Sequence, residues 1–81
     1  MIAPMRDKSS DLLIEKVVGE FARIRKEQGL SHETLAQKVG VSRPAISFIE
    51  SHKRIPTILT CAKIAKALGV KLGDILNKFE K

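Results

Sequence analysis

The sequence lacks most of the residues on which redox, metal and membrane functions depend. Its 81 residues contain one Cys, no Trp and no Tyr, and charged residues interrupt every apolar run long before the ~20 residues of a transmembrane helix. The only early apolar cluster, residues 12–14, is cut at once by Glu15 and Lys16, so we expect no signal peptide and no membrane association. A single Cys cannot form an internal disulfide, which favours a reducing, cytoplasmic location.

Motifs for catalysis and for metal binding are also missing. His32 and His52 are far apart in sequence and have no second Cys nearby, so a metal site is not expected. The chain has no Gly-rich phosphate loop and no nucleophile motif. Cys61 falls at an inward helical position, where a small hydrophobic residue is the usual interpretation. We therefore predict a protein that is not an enzyme and that needs no cofactor, metal or small-molecule ligand.

The charge balance is strongly basic. Fifteen Lys and Arg residues against nine Asp and Glu give a net charge of +6, with a pI near 9.8. Such a balance favours an anionic partner, of which nucleic acid is the commonest, although it could serve solubility alone. A hydrophobic content of 43% is enough for one small globular domain.

Periodicity predicts an all-α fold, a compact five-helix bundle with no strands. We expect a flexible tail over residues 1–9 and a single domain over residues 10–81, with the first helix starting after a cap at Ser10 or Asp11 and ending near Gln28. Lys71 is a poor cap for the fifth helix. The second helix is predicted to begin at Ser31, and the third to run from about Arg43 to Ser51. The fourth should run from its cap at Thr57 to Leu68, and the fifth from about Leu72 to Phe79. The fourth helix should bury Ile58, Cys61, Ile64, Ala65 and Leu68.

The stretch from about residue 31 to residue 51 has the composition of a helix-turn-helix. Small Ala36 suits a close helix crossing, and Gly40 suits the sharp reversal because it takes positive φ without a steric penalty. Ser42 can cap the second of the two helices, whose inward residues are Ile46 and Ile49. The alternative is a plain αα-hairpin, which does not require these residue sizes at these offsets.

From Ile24 to Ile75 the chain resembles the Cro and phage-repressor type of helix-turn-helix domain, the XRE family, also called lambda-repressor-like. The segments that carry the resemblance are residues 24–31, 35–43, 46–50, 53–57 and 67–70, and the whole stretch from Ile24 to Ile75 covers about two-thirds of the chain. The resemblance implies sequence-specific binding to double-stranded DNA, with the second helix of the motif in the major groove. Short members of the family include restriction-modification controllers, phage-type repressors and antitoxins.

The outward face of the third helix is predicted to contact bases. Arg43 can bond guanine O6 and N7 together, although a phosphate contact is the simpler alternative. Pro44 could touch a thymine methyl group, and Ser47 is short and adaptable. Phe48 stands where the family more often has a polar residue, so it could pack on a thymine methyl or a sugar, or fold back and extend the core.

A second set of residues is predicted to contact phosphates. Ser31 and His32 match family positions that hold a phosphate at the start of the second helix, where the family usually has Gln in place of His32. A capping role without DNA contact is the alternative for both. The remaining predicted phosphate contacts are Ser42, Lys53, Arg54 and, more weakly, Lys38.

One match to the family pattern and one departure from it concern the structure of the domain and not its contacts with DNA. Arg25 and Glu50 match a family pair, which implies an ion pair that fixes the first helix against the end of the third. His52 replaces the Gly usual after the third helix, and His tolerates left-handed backbone better than most residues.

One recognition helix reads only a few base pairs, so we expect a homodimer on a palindromic operator. The predicted dimer surface consists of Leu59, Leu72, Leu76 and Phe79, because these leave helices four and five more apolar than one buried face requires. Alternatively, helix five packs on helix one. The predicted function is a transcriptional regulator, associated with the nucleoid. The alternatives are an antitoxin with a toxin partner, a protein-interaction module that keeps the helix-turn-helix as a scaffold, and a non-specific RNA or DNA binder.

Overall fold

A computed structural model of the protein describes residues 8–80, and over that range the fold is all-α, as predicted. Its five helices are α1 (Lys8–Glu27), α2 (His32–Val39), α3 (Arg43–Glu50), α4 (Ile58–Leu68) and α5 (Leu72–Phe79). Helix α1 begins earlier than the sequence predicted, because residues 8–10 already have helical backbone. The rest of the predicted tail, residues 1–7, lies outside the described residues. No helix within residues 8–80 is long and apolar enough to cross a membrane.

Local side-chain bonds explain where α2, α3 and α4 begin. The hydroxyl oxygens of Ser31, Ser42 and Thr57 each accept the backbone N–H three residues ahead, which satisfies a donor that has no partner inside the helix. Helix α2 ends at Gly40, whose φ of 88° is left-handed, and the chain reverses there. At Lys71 no side chain caps α5, which matches the expectation that this helix starts poorly.

All five helices contribute to one apolar core. Helix α1 supplies one face of it, α2 and α3 pack against each other, and α4 packs on both α1 and α2. Burial raises the pKa of the Cys61 thiol, so this residue is an inert part of the core. The buried core residues include Val17, Val18, Phe21, Leu35, Ala36, Ile46, Ile49, Cys61, Ile64, Leu68 and Ile75.

The prediction that Ile58 is buried was wrong. Its side chain is 72% exposed, and the neighbouring Leu59 is 61% exposed. Ile58 has the helical spacing of the buried stripe, but it is the first residue of α4, and burial along the stripe begins three residues later, at Cys61. Periodicity gives the face of a helix and not the length over which a neighbour covers it.

Helix α5 packs on α1, and a buried carboxylate ties the two together. Glu20 accepts hydrogen bonds from Arg23 Nε at 2.9 Å and from Lys78 Nζ at 2.8 Å. The bond from Arg23, followed by that from Lys78, lowers the pKa of Glu20 to about 2. Apolar side chains of α5 reinforce this contact, because Leu72, Leu76 and Phe79 are half-buried against the core.

The Glu20 cluster predicts a loss of stability in acid. The pKa of Glu20 in the folded protein, about 2, lies below the ordinary 4.5. The stabilisation by this carboxylate is therefore complete above pH 4.5 and is lost as the pH falls towards 2. Because Arg23 and Lys78 are half exposed and screened, we expect this carboxylate to contribute about 1 kcal/mol. Urea denaturation across that pH range should show a flatter profile for Glu20→Gln than for the parent protein. Glu15→Gln, at an exposed site on the same helix, should leave the profile unchanged.

Candidate nucleic-acid interface

Helices α2 and α3 form the helix-turn-helix, and the turn fixes which side of α3 faces outward. The N–H groups of Gly40 and Val41 both donate to the carbonyl of Ala36, at 2.8 and 3.0 Å, which reverses the chain tightly. Helix α3 then buries Ala45, Ile46 and Ile49. Its opposite side carries the predicted base-contacting residues: Arg43 and Pro44 are exposed, Ser47 is half-buried and Phe48 is exposed.

Phe48 does not fold back into the core. Its side chain is 42% exposed, and the guanidinium of Arg54 lies over its ring, with the central carbon 5.8 Å from the ring centroid. A cation at this distance is attracted by the ring face. The two residues therefore form one surface unit, which neither the helical spacing of α3 nor the charge of the loop predicted.

The loop after α3 is folded back onto the helix end. The N–H groups of Lys53 and Arg54 donate to the Phe48 carbonyl, at 2.9 and 3.2 Å, and His52 has a φ of 63°. His52 thus adopts the left-handed backbone that the family's Gly usually provides. The result is that Lys53 and Arg54 are both exposed beside the outward side of α3.

Arg25, Glu50 and His32 meet where α1, α2 and α3 converge. Arg25 donates to both carboxylate oxygens of Glu50, Nε to Oε2 at 2.7 Å and Nη2 to Oε1 at 3.0 Å. Its remaining nitrogen, Nη1, donates to the Leu30 carbonyl at 2.7 Å. We call Arg25, Glu50 and His32 the three-helix node, because each comes from a different helix.

His32 is the member of the node that the sequence did not predict. Its Nε2 lies 2.9 Å from Glu50 Oε1. Burial on its own would raise the pKa of Glu50, but the hydrogen bonds from Arg25 and then His32 outweigh it, and the net pKa is lowered. Glu50 is therefore an ionised acceptor near neutral pH, which makes Nε2 of His32 the donor. The His32 ring is held with its other nitrogen pointing away from Glu50.

The two serines at the starts of α2 and α3 serve as helix caps. Ser31 Oγ accepts from the Thr34 N–H and also donates to Thr34 Oγ1, both at 3.0 Å. Ser42 Oγ accepts from the Ala45 N–H at 3.3 Å. In the first turn of α2, the backbone N–H groups of His32 and Glu33 make no hydrogen bond within residues 8–80, and such groups are those with which a helix N-terminus holds an anion.

Cations on this side of the molecule have no acidic partner. Arg43, Lys53 and Arg54 take part in no ion pair within residues 8–80, whereas Arg23, Arg25 and Lys78 do. Lys38 lies elsewhere, in a groove between α2 and α4. No group of three or more His, Cys, Asp or Glu among the described residues is arranged to hold a metal ion.

Comparison with known proteins supports the assignment of α2 and α3 as a helix-turn-helix. The family model described as Helix-turn-helix, HTH_3, matches residues 21–75. An uncharacterized HTH-type transcriptional regulator of Sinorhizobium fredii, y4dJ, is 41% identical over 65 residues, covering 79% of this chain and 84% of that protein. The regulator PuuR of Escherichia coli is 38% identical over 61 residues, which are 75% of this chain and 33% of PuuR.

A third relative is the control protein C.MunI of Mycoplasma, which is 33% identical over 63 residues, covering 76% of this chain and 85% of C.MunI. No solved structure matches the chain. These relatives carry the names of regulators and not of enzymes. The chain thus belongs to the helix-turn-helix family of the XRE type, and it is a transcriptional regulator whose DNA-binding domain contains α2 and α3.

Proposed function

We propose that this regulator acts as a homodimer on a palindromic operator, with α3 in the major groove, and that operator occupancy controls access of RNA polymerase. The observation that carries the proposal is the outward side of α3, which is exposed and bordered by the unpaired cations Arg43, Lys53 and Arg54. Unpaired cations beside an exposed recognition helix suit the phosphates that flank a groove.

Base contacts would come from four side chains. Arg43, in the first turn of α3, can donate two hydrogen bonds to guanine, and Ser47 can donate or accept one. Pro44 and Phe48 offer apolar surface for a thymine methyl group. Because Arg54 lies over the Phe48 ring, we propose that it reaches phosphate from a fixed position and that it also orients the ring.

Phosphate contacts would come from the start of α2 and from the loop after α3. Since the Ser31 hydroxyl is already bonded to Thr34, we expect a phosphate there to be held by the backbone N–H groups of His32 and Glu33 and by the free nitrogen of the His32 ring. Ser42 and Lys53 would extend the contact along the backbone. Lys38 lies at the far end of α2 from Ser31, so it is the weakest member of the predicted set.

The proposal is tested by titration with the DNA upstream of the protein's own gene and with scrambled DNA of the same composition. A specific regulator should prefer its site by ~10³-fold or more at matched salt. Affinity should fall steeply with salt for both DNAs, because phosphate contacts release counterions. Equal affinity for the two DNAs would instead support the non-specific binder.

Two substitutions should separate base contacts from phosphate contacts. We expect Arg43→Ala to cost about 1–3 kcal/mol on the preferred site and much less on scrambled DNA, because a base contact is lost. Lys53→Ala should weaken binding to both DNAs evenly and reduce the salt slope by about one. Fluorescence anisotropy at several salt concentrations measures both effects, with the exposed Lys26→Ala as the control. Arg43 is not a base contact if its substitution weakens both DNAs alike.

The exposed apolar residues support a proposed dimer surface at the start of α4 rather than on α5. Ile55 and Ile58 are the most exposed large apolar residues besides Leu59, at 57% and 72%, whereas Leu72, Leu76 and Phe79 are half-buried. We therefore propose that Ile55, Ile58 and Leu59, which we call the α4 apolar patch, form the centre of the dimer surface. The part of α5 that remains exposed would lie at its edge.

Leu59→Asp should shift the protein from dimer to monomer in sedimentation, because a charge at the centre of an apolar interface has no partner there. Leu12→Asp is the matched control, since Leu12 is 53% exposed on α1, and it should leave the mass unchanged. Leu76→Asp, by contrast, should lower the free energy of unfolding, because the Leu76 side chain is half-buried. An unchanged mass for Leu59→Asp would exclude the α4 apolar patch.

A further inference from the structure

A second basic surface lies at the far end of α2 from Ser31, and it shares with the proposed DNA contacts only Lys38, the weakest of them. Lys38, near the end of α2, and Lys63 and Lys66, on α4, line an open groove between these two helices, whose remaining lining residues are Val39 and Ala67. All three lysines are exposed. We call this feature the lysine groove.

The lysine groove contains no compensating negative charge. None of its three lysines forms an ion pair within residues 8–80, and no acidic residue lines it. The sequence offers none nearby either, since the positions three and four residues from each lysine carry no Asp or Glu. By contrast, the groove between α1 and α5 has paired charges, with Glu20 bonded to Arg23 and Lys78.

Helix geometry explains only part of this arrangement. Lys38 and Lys66 lie in the last turns of α2 and α4, where a cation is favoured by the helix dipole. Lys63 lies in the middle of α4, one turn from Lys66, where two like charges repel each other. An anionic partner in the groove would relieve this repulsion, so the cluster has the chemistry of a binding surface.

We propose that the lysine groove binds an acidic, amphipathic segment of a protein partner. Its apolar lining, Val39 and Ala67, suits aliphatic side chains, and its rim of lysines suits carboxylates on either side. Phosphate backbones are more often held with Arg, hydroxyl, amide or backbone N–H donors as well, and the lysine groove has Lys as its only charged or polar lining.

The place of the groove supports a protein partner over nucleic acid. Lys38 is at the opposite end of α2 from Ser31, so DNA held at the start of α2 and along α3 leaves the groove open. That the groove stays open on DNA rests on the proposed DNA face, whereas the need for an anionic partner follows from the three lysines alone. A regulator bound to its operator could therefore hold a partner protein through the groove at the same time.

The probe for the test is a fluorescein-labelled synthetic helix with Leu on one face and Glu on the other. Its binding to the full chain is followed by anisotropy, with and without saturating duplex DNA. The double variant Lys63→Glu/Lys66→Glu should weaken peptide binding by roughly tenfold or more. The control is Lys16→Glu/Lys26→Glu, which makes the same charge change at two exposed sites on α1, and it should bind the peptide nearly as well as the parent.

The outcomes separate the groove from general charge and from DNA binding. Equal losses of peptide binding in both variants, or loss of peptide binding when duplex DNA is added, would overturn the proposal. It would also be overturned if Lys63→Glu/Lys66→Glu lost binding to duplex DNA and kept binding to the peptide, since the groove would then be a nucleic-acid site. Far-ultraviolet circular dichroism confirms folding, and Lys63→Gln/Lys66→Gln replaces the Glu variant if that does not fold. Failure of the operator titration would leave the peptide result without DNA unaffected.

Discussion

Arg25→Met is expected to lower the free energy of unfolding by about 3 kcal/mol, a large fraction of the roughly 4–12 kcal/mol available to a domain of this size. Arg25 is 7% exposed and donates to both oxygens of Glu50 and to the Leu30 carbonyl. Its loss leaves a part-buried carboxylate and a part-buried carbonyl short of donors. We place the loss at the lower end for a broken buried pair because His32 still bonds to Glu50.

A double-mutant cycle isolates the pair. Glu50→Leu alone leaves Arg25 without its carboxylate, so it should also be strongly destabilising, whereas Arg25→Met/Glu50→Leu should recover much of the loss, because two apolar groups need no partners. Urea denaturation followed by circular dichroism gives the four free energies. Lys26→Met, at the exposed neighbouring position, is the control and should change stability by less than about 0.5 kcal/mol. If the two single losses simply add in the double variant, the node is not an energetic unit.

The second large effect is expected at the inward side of the recognition helix. Ile46 is 1% exposed and is among the largest fully buried side chains. Ile46→Ala removes buried methyl and methylene groups and leaves a cavity where α3 meets the core, so we expect a loss of about 2–5 kcal/mol. DNA binding should weaken as well, to the extent that the folded population falls.

Ile58→Ala is the matched control, because it makes the same chemical change at a site that is 72% exposed. Thermal or urea unfolding at low protein concentration should show little change for Ile58→Ala. If the α4 apolar patch forms the dimer, the effect of Ile58→Ala should grow with protein concentration, whereas that of Ile46→Ala should not. Similar losses for the two variants at low concentration would contradict the assignment of Ile46 to the core and Ile58 to the surface.

Most of the fold could be predicted because its signals are local. Ser31, Ser42 and Thr57 cap helices through bonds to residues three positions ahead, and Gly40 ends α2 through its own backbone conformation. Such signals lie within one turn of helix, so they can be read from the sequence without knowledge of the tertiary fold. The errors lie where local signals are weak, at the start of α1, which is earlier than predicted, and at Ile58.

The candidate site was less predictable because its side chains find partners across the fold. His32 and Glu50 are 18 positions apart, and they meet only because α2 and α3 converge beside α1. The place of Arg54 over the Phe48 ring depends on a loop that folds back through the left-handed His52. The sequence could indicate that these residues are charged or exposed. It could not indicate which side chains they contact, because those contacts depend on how the helices and the loop are placed in the fold.

The missing cap at Lys71 has a consequence for the order in which the protein opens. Helix α5 has eight residues and no side-chain bond at its start, and its ties to α1 include an ion pair with a half-exposed lysine. Its amide hydrogens should therefore exchange with solvent through a partial opening that leaves the other four helices intact. In that opened form Ile75 leaves the core, so proteases and aggregation would act first at this end of the domain, while the helix-turn-helix remains folded.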